Sequence, residues 1–276
     1  MSGATNPHVV ARRVLLDALD VLGTQRQAIT LVGAQAVYLR VGDVDIAVAP
    51  TTTDADLSLD PTIVTEKPAL DQVMRQAGFW RRKDAGGNPL VGIWEKTQGP
   101  VVVSVDLLMP ESVAPAGGRR AARLPGHEKG SVLKVPGIEA SLVDSDVMSV
   151  KALEADDARA FEIQVAGQGA LLVAKIHKIL DRETQRDRLN DKDALDVFRL
   201  LRGASTEEMA RRVAQASEDE RSRTVTKQAL EALPDLFGRT EGEGVQMAIR
   251  ATEGLMLEAE VVESLKALTE DLLTAL

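Results

Sequence analysis

The stretch TTTDADLSLDP, Thr51 to Pro61, carries three aspartates at alternating positions. Asp54, Asp56 and Asp60 interleave with Ala55, Leu57 and Leu59, and that alternation predicts a strand. Positions i and i+2 of a strand share a face, with Cα atoms roughly 6.5–7 Å apart. Asp54 and Asp56 can therefore close on one or two divalent cations. The same alternation also describes an ordinary solvated strand face, and the strand by itself leaves both readings open. A calcium loop of the EF-hand type is excluded, because Leu59 stands where glycine is required and Thr65 where glutamate is required.

A further aspartate, Asp106, sits in VVVSVDLLM. Valine and leucine flank it on both sides, as in a strand buried on both faces. A carboxylate there costs several kcal/mol unless it meets a cation or a strong donor. Met109 and Pro110 follow closely, so an exposed strand end at the sheet edge is the alternative. Upstream, ITLVG reads as a strand broken at Gly33, and AQAVYLRVG as a helix ending at Gly42. A DxD strand, a third aspartate on a neighbouring strand and a strand–glycine–helix unit are together what two-metal phosphoryl transfer needs. The metals activate the attacking oxygen, and N–H groups at the helix start receive phosphate. With no cysteine and only His8, His127 and His177, any metal here rests on carboxylates, which favours Mg²⁺ or Mn²⁺.

The elements that must position these residues follow from periodicity. Apolar residues between His8 and Leu22 recur at helical spacing, and Glu66 to Ala77 reads as a helix closed by Gly78. FWRRK, LVGIWEK and VVVSVDLLM read as strands, as do the shorter IEASLV, DVMSVKAL and AFEIQVA. From Gln168 the pattern is helical, with breaks near Gly203, Pro234, Gly238 and Gly254; the leucine stripe of EVVESLKALTEDLLTAL suits core packing. The expected fold class is α+β: a small mixed-sheet domain over 1–166, with a long basic excursion at 110–137, then a helical domain over 167–276.

The net charge of −9 argues against bulk nonspecific nucleic-acid binding, and an aromatic share of 3% leaves little for a base-stacking platform. A local patch remains: Arg119, Arg120, Arg123, Lys129 and Lys134 in the excursion, with Arg81 and Arg82 as a second cluster. It can grip RNA phosphates or simply solubilise a flexible loop. No apolar run approaches the ~20 residues of a membrane span, and the N-terminus lacks a signal-peptide core, so a cytoplasmic protein is expected.

With these blocks in place, the sequence resembles the nucleotidyltransferase superfamily, and within it the AbiEii/MenT-type toxins of bacterial toxin–antitoxin systems. LVGAQAVYLR is similar to the family's glycine-motif helix, Thr52 with DAD to its R-x-T-x-D-x-D strand, and SVDLL to the strand with the third carboxylate. AKIHKILDRETQRDRLNDKDALDVFRLL resembles its K-x-x-A…R…K-D-x-x-D signature, with Lys175, Arg182, Lys192, Asp193 and Asp196 at matching positions. The chain departs from the pattern at Ala34 and Gln35 after the glycine, at Pro50 in place of arginine, and at Lys178 in place of a small residue.

The resemblance implies roles. Asp54, Asp56 and Asp106 would hold Mg²⁺ or Mn²⁺, with Asp106 completing the site or taking the acceptor's proton. Lys175 would contact the triphosphate and Asp193 would orient it or assist as base. Gly33, Gln35, Thr52 and Arg182 would contribute to nucleotide binding. From helix periodicity alone, Lys175 and Asp193 read instead as the salt-bridged surface of a helical hairpin. The implied activity is transfer of a nucleoside monophosphate from an NTP to an acceptor hydroxyl, with pyrophosphate released. The implied acceptor is the tRNA 3′ end, making the protein a toxin with a cognate antitoxin as partner. The alternatives are a small-molecule acceptor such as an aminoglycoside, a protein hydroxyl, or a nucleotide-binding interaction module with weakened catalysis.

Overall fold

A computed structural model of the chain describes residues 6–42, 44, 46, 48, 52–116, 118–183 and 191–276, the side chains of Arg182 and Glu183 excepted. In chain order its elements are α1 (Pro7–Leu22), β1 (Ile29–Val32), α2 (Gly33–Val41), β2 (Asp54–Leu59), α3 (Leu70–Gln76), β3 (Trp80–Lys83), β4 (Pro89–Gln98) and β5 (Val101–Pro110). There follow β6 (Leu133–Val135), β7 (Ser145–Lys151), β8 (Ala160–Ala166), α4 (Gln168–Glu183), α5 (Lys192–Gly203), α6 (Thr206–Glu218), α7 (Arg223–Phe237), α8 (Glu243–Ala251) and α9 (Glu258–Ala275). The class is α+β, with a mixed sheet and a run of C-terminal helices.

Two compact units divide the chain. The first comprises 1–35, 50–135 and 146–165, and the second 36–49, 136–145 and 166–276. Sequence reading puts one boundary at 166/167; contacts divide the chain at 165/166 and also assign 36–49 and 136–145 to the helical unit.

In the first unit the sheet order is β3-β4-β5-β2-β1-β8-β7, with β6 beside β5. The aspartate strand is therefore central, antiparallel to β1 and parallel to β5. Helix α1 begins where Asn6 accepts the His8 N–H and Pro7 supplies a preset φ. It buries Val14, Leu15, Leu19 and Leu22 along one side, each worth about 1.5–3 kcal/mol.

Several expected elements differ. The helix expected from Glu66 starts only at Leu70, because Pro68 turns Lys67 away from the helical region and Ala69 is itself extended. IEASLV is a 3₁₀ turn over Glu139–Leu142 rather than a strand, closed by the Ser141 hydroxyl donating to Ile138 O at 2.7 Å. Pro234 lies inside α7; it falls in the last turn, so only one helical bond is lost before Gly238 ends the helix. The excursion is packed: Ala121, Ala122, Leu124 and Val132 are buried, and Ala122 N donates to Val132 O at 3.0 Å. Among the described residues no helix is long and apolar enough to cross a membrane.

Candidate functional site

Register decides which face each aspartate occupies. Asp54 pairs with Ser104, and Asp56 with Asp106 on β5 and Val32 on β1. Directly paired residues of neighbouring strands point the same way. Asp54, Asp56, Ser104 and Asp106 thus share one face, while Ala55, Leu57, Val105 and Leu107 fill the buried core on the other. On the aspartate face Asp54 and Asp106 are half-buried and Asp56 is 8% exposed. It is neither the outer face of an edge strand nor a dry core. The expectation that β5 is buried on both faces is corrected by Val102, on the same face as Asp106, which is 49% exposed.

Asp60 lies outside this group. It follows directly after β2, and its Oδ1 accepts the Thr62 N–H at 2.8 Å and the Thr62 hydroxyl at 2.7 Å, an Asx turn.

Gly33 is where β1 becomes α2, at φ +71°. A Cβ there would lie 2.0 Å from Asp56 Oδ2, so only glycine lets the carboxylate lie against the helix start. Thr52, 3% exposed, donates its hydroxyl to Asp54 Oδ1. Gln35 was expected to reach phosphate; it is 1% exposed and turned inward. Its Oε1 accepts from Arg12 Nε at 2.8 Å, and its Nε2 donates to Asp54 O at 3.1 Å.

Sequence reading missed Arg12. It interrupts the apolar side of α1 and is 3% exposed, with Nη1 donating to Lys151 O at 3.0 Å. Burial pushes its pKa down from 12.5 to about 10, so it stays charged at neutral pH. A charge set among Val10, Ala11, Leu15 and Leu16 was the available signal. His8, one turn earlier, is pushed down to about 4 by burial and then by the Arg12 charge.

A second cluster belongs to the helical unit. Lys175 on α4 places Nζ 2.8 Å from Asp193 Oδ1 and 2.7 Å from Asp196 Oδ2 on α5. Arg199, one turn beyond Asp196, pairs with its Oδ1 at 3.1 Å, donates to Val48 O at 2.9 Å, and stacks its guanidinium over Tyr38 at 5.1 Å. The i, i+3 spacing of 193, 196 and 199 puts all three on one side of α5. All four charged groups are at most 4% exposed. Burial alone would lower the Lys175 pKa, but Asp193 and Asp196 outweigh it and hold the ammonium above its ordinary value. This is a buried ion quartet, not a solvated hairpin surface, and Lys175 spends its charge inside it. The expected role of Arg182, and the arginines at 186 and 188, lie outside the described side chains.

Arg119, Arg120 and Arg123 are exposed and make no ion pair among the described residues. Arg81 is used locally: Nη1 donates to Lys129 O at 3.1 Å and Nη2 lies 3.8 Å from Glu128. Arg82 sits 3.7 Å from Glu95.

Three oxygen-donor carboxylates on one half-buried face suit a hard divalent ion in chemistry. Among the described residues, though, no group of three or more His, Cys, Asp or Glu side chains is gathered closely enough to hold a metal. No family model, curated protein or solved structure matches the chain.

Proposed function

We propose that the protein is a metal-dependent nucleotidyltransferase. The observation that carries the reading is the register that sets Asp54, Asp56 and Asp106 on one face, with the start of α2 at Gly33 against Asp56. Asp54, Asp56 and Asp106 would have to draw together on Mg²⁺ or Mn²⁺, which would supply the charge that neutralises the triphosphate and activates the acceptor hydroxyl. Asp106 would accept the hydroxyl's proton as its oxygen bonds to the α-phosphorus and pyrophosphate leaves. Gly33, lacking a Cβ, lets the Asp56 carboxylate lie against the start of α2, where backbone N–H groups beside a bound cation would meet phosphate.

For the acceptor we propose the tRNA 3′ end, with Arg119, Arg120 and Arg123 contacting its phosphates. Such an enzyme would act in the cytoplasm as a toxin and would need an antitoxin protein as partner. A second reading, a nucleotide-binding module with weakened catalysis, is favoured by the inward commitment of Gln35 and Lys175.

Incubation with each α-labelled NTP, Mg²⁺ or Mn²⁺ and total RNA separates them. Label on a tRNA-sized band supports the transferase, and Asp54→Ala should abolish it. Label on protein or on an aminoglycoside would move the acceptor. NTP retained in equilibrium dialysis without any transfer would leave the binding module standing, and neither binding nor transfer would reject both readings.

A further inference from the structure

Helix α1 carries an arginine that is two hydrogen bonds away from Asp54, through Gln35. Arg12 is a buried charge with no carboxylate at ion-pair distance among the described residues, an arrangement that must be offset by hydrogen bonds. Its guanidinium is spent on two neutral oxygens, Gln35 Oε1 and Lys151 O. The first contact fixes which end of the Gln35 amide faces which way. With the oxygen turned to Arg12, the NH₂ must face β2, where it donates to Asp54 O. Thr52 holds the side chain of the same residue through Oδ1. Asp54 is thus clamped at its carbonyl through α2 and at its carboxylate by Thr52, just ahead of its own strand.

We infer that Arg12 is a positioning residue for Asp54, acting through Gln35, an assignment that deepens the nucleotidyltransferase reading and rests on it. Arg12 touches no reacting atom; its charge keeps Gln35 in the one orientation that fixes the carboxylate-bearing end of β2. A methionine at 12 would fill the space and release the amide. Gln35→Glu is the sharper probe. It keeps an oxygen for Arg12 and gives the guanidinium a counter-ion, but removes the N–H that holds Asp54.

The test is amide hydrogen exchange of residues 52–56, with residues 91–98 of β4 as internal control, run on the full chain without nucleotide. Arg12→Met, Gln35→Met and Gln35→Glu should each speed exchange at 52–56 by about tenfold, the factor carried by one net hydrogen bond. The control segment should stay unchanged, and Gln35→Glu should melt no lower than the parent. The double Arg12→Met/Gln35→Met variant should exchange no faster than either single one. In the labelling assay kcat should fall for Arg12→Met and Gln35→Glu while KM for NTP holds. Unaltered exchange at 52–56 in Gln35→Glu, or additive effects in the double variant, would overturn the relay. Should Arg12→Met not fold, Arg12→Lys replaces it, since an ammonium lacks the rigid guanidinium fork that holds the Gln35 and Lys151 oxygens in one fixed geometry. A parent protein that transfers no label defeats the nucleotidyltransferase reading, and the exchange data still decide the relay.

Discussion

The chain uses buried and half-buried aspartates in two different ways. On α5, Asp193 and Asp196 are buried in a quartet with Lys175 and Arg199, and the exposed Lys178 lies 3.9 Å from Asp193. On β2 and β5, three aspartates share one face that is still partly open, and the groups fixing Asp54 there are a hydroxyl and an amide. Neutral donors set the position of a carboxylate without cancelling its charge. The quartet therefore serves stability, while the strand face keeps the charge that the proposed transfer would use, although both are built on aspartates.

The largest expected effect tests that contrast directly. Lys175→Met leaves two buried carboxylates without their ammonium and should cost ~3–5 kcal/mol in denaturant unfolding. Asp54→Ala should change unfolding by only about 1 kcal/mol. Equal losses in the two variants would erase the distinction.

Gly33→Ala comes next. The new methyl meets Asp56 in a left-handed backbone position that by itself disfavours alanine by about 1–2 kcal/mol. Unfolding should shift by at least that amount, and nucleotidyl transfer should fall with it; an unshifted midpoint would mean the helix start is not constrained by Asp56.

The two regions should also separate by pH. His8 has a folded-state pKa of about 4, below its ordinary 6.5, so the unfolded chain takes up its proton first. Its stabilisation is complete above about 6.5 and is lost as pH falls toward 4. Lys175 is shifted upward, so its contribution is complete below its ordinary 10.5 and is lost as pH rises beyond it. Unfolding midpoints across pH should fall at the acid end in the parent and less so in His8→Gln. They should fall at the alkaline end in the parent and not in Lys175→Met. A His8→Gln profile identical to the parent would remove His8 from the account.

The smallest effect belongs to the exposed arginines. Changing Arg119, Arg120 and Arg123 to glutamine should leave stability within about 0.5 kcal/mol. The slope of RNA affinity against salt should shrink by roughly two to three units if all three meet phosphates. An unchanged slope would detach these residues from RNA.

Legibility in the sequence followed the range of the interaction. The α1 stripe, the break at Gly33 and the alternation through Asp54 and Asp56 are local patterns, and they placed α1, β1, α2 and β2. The pairing of Asp56 with Asp106 is a contact between residues 50 positions apart, and only register reveals it. Local chemistry misled at Pro234, where position within the last turn outweighs the residue's helix-breaking character. It also misled at IEASLV, whose apolar content suits a strand but whose Ser141 bonds back to its own turn. Gln35 could not be read at all without Arg12, because an amide's direction depends on what faces it. The packing of the basic excursion was not legible, since its buried residues Ala121, Ala122, Leu124 and Val132 are few and follow no helix or strand period.

The backbone passes between the two units at 35/36, 49/50, 135/136, 145/146 and 165/166, so neither unit is a continuous piece of sequence. The helical unit needs its borrowed segments: Gly203 packs on Val41 and Val44, Gly137 on His177, and Val48 accepts from Arg199. During synthesis the segment 36–49 must wait for more than a hundred residues before α4 and α5 exist to receive it. A fragment starting at 167 would lack those partners from the outset. Fragment expression and limited proteolysis should accordingly find no stable helical piece that begins at this boundary.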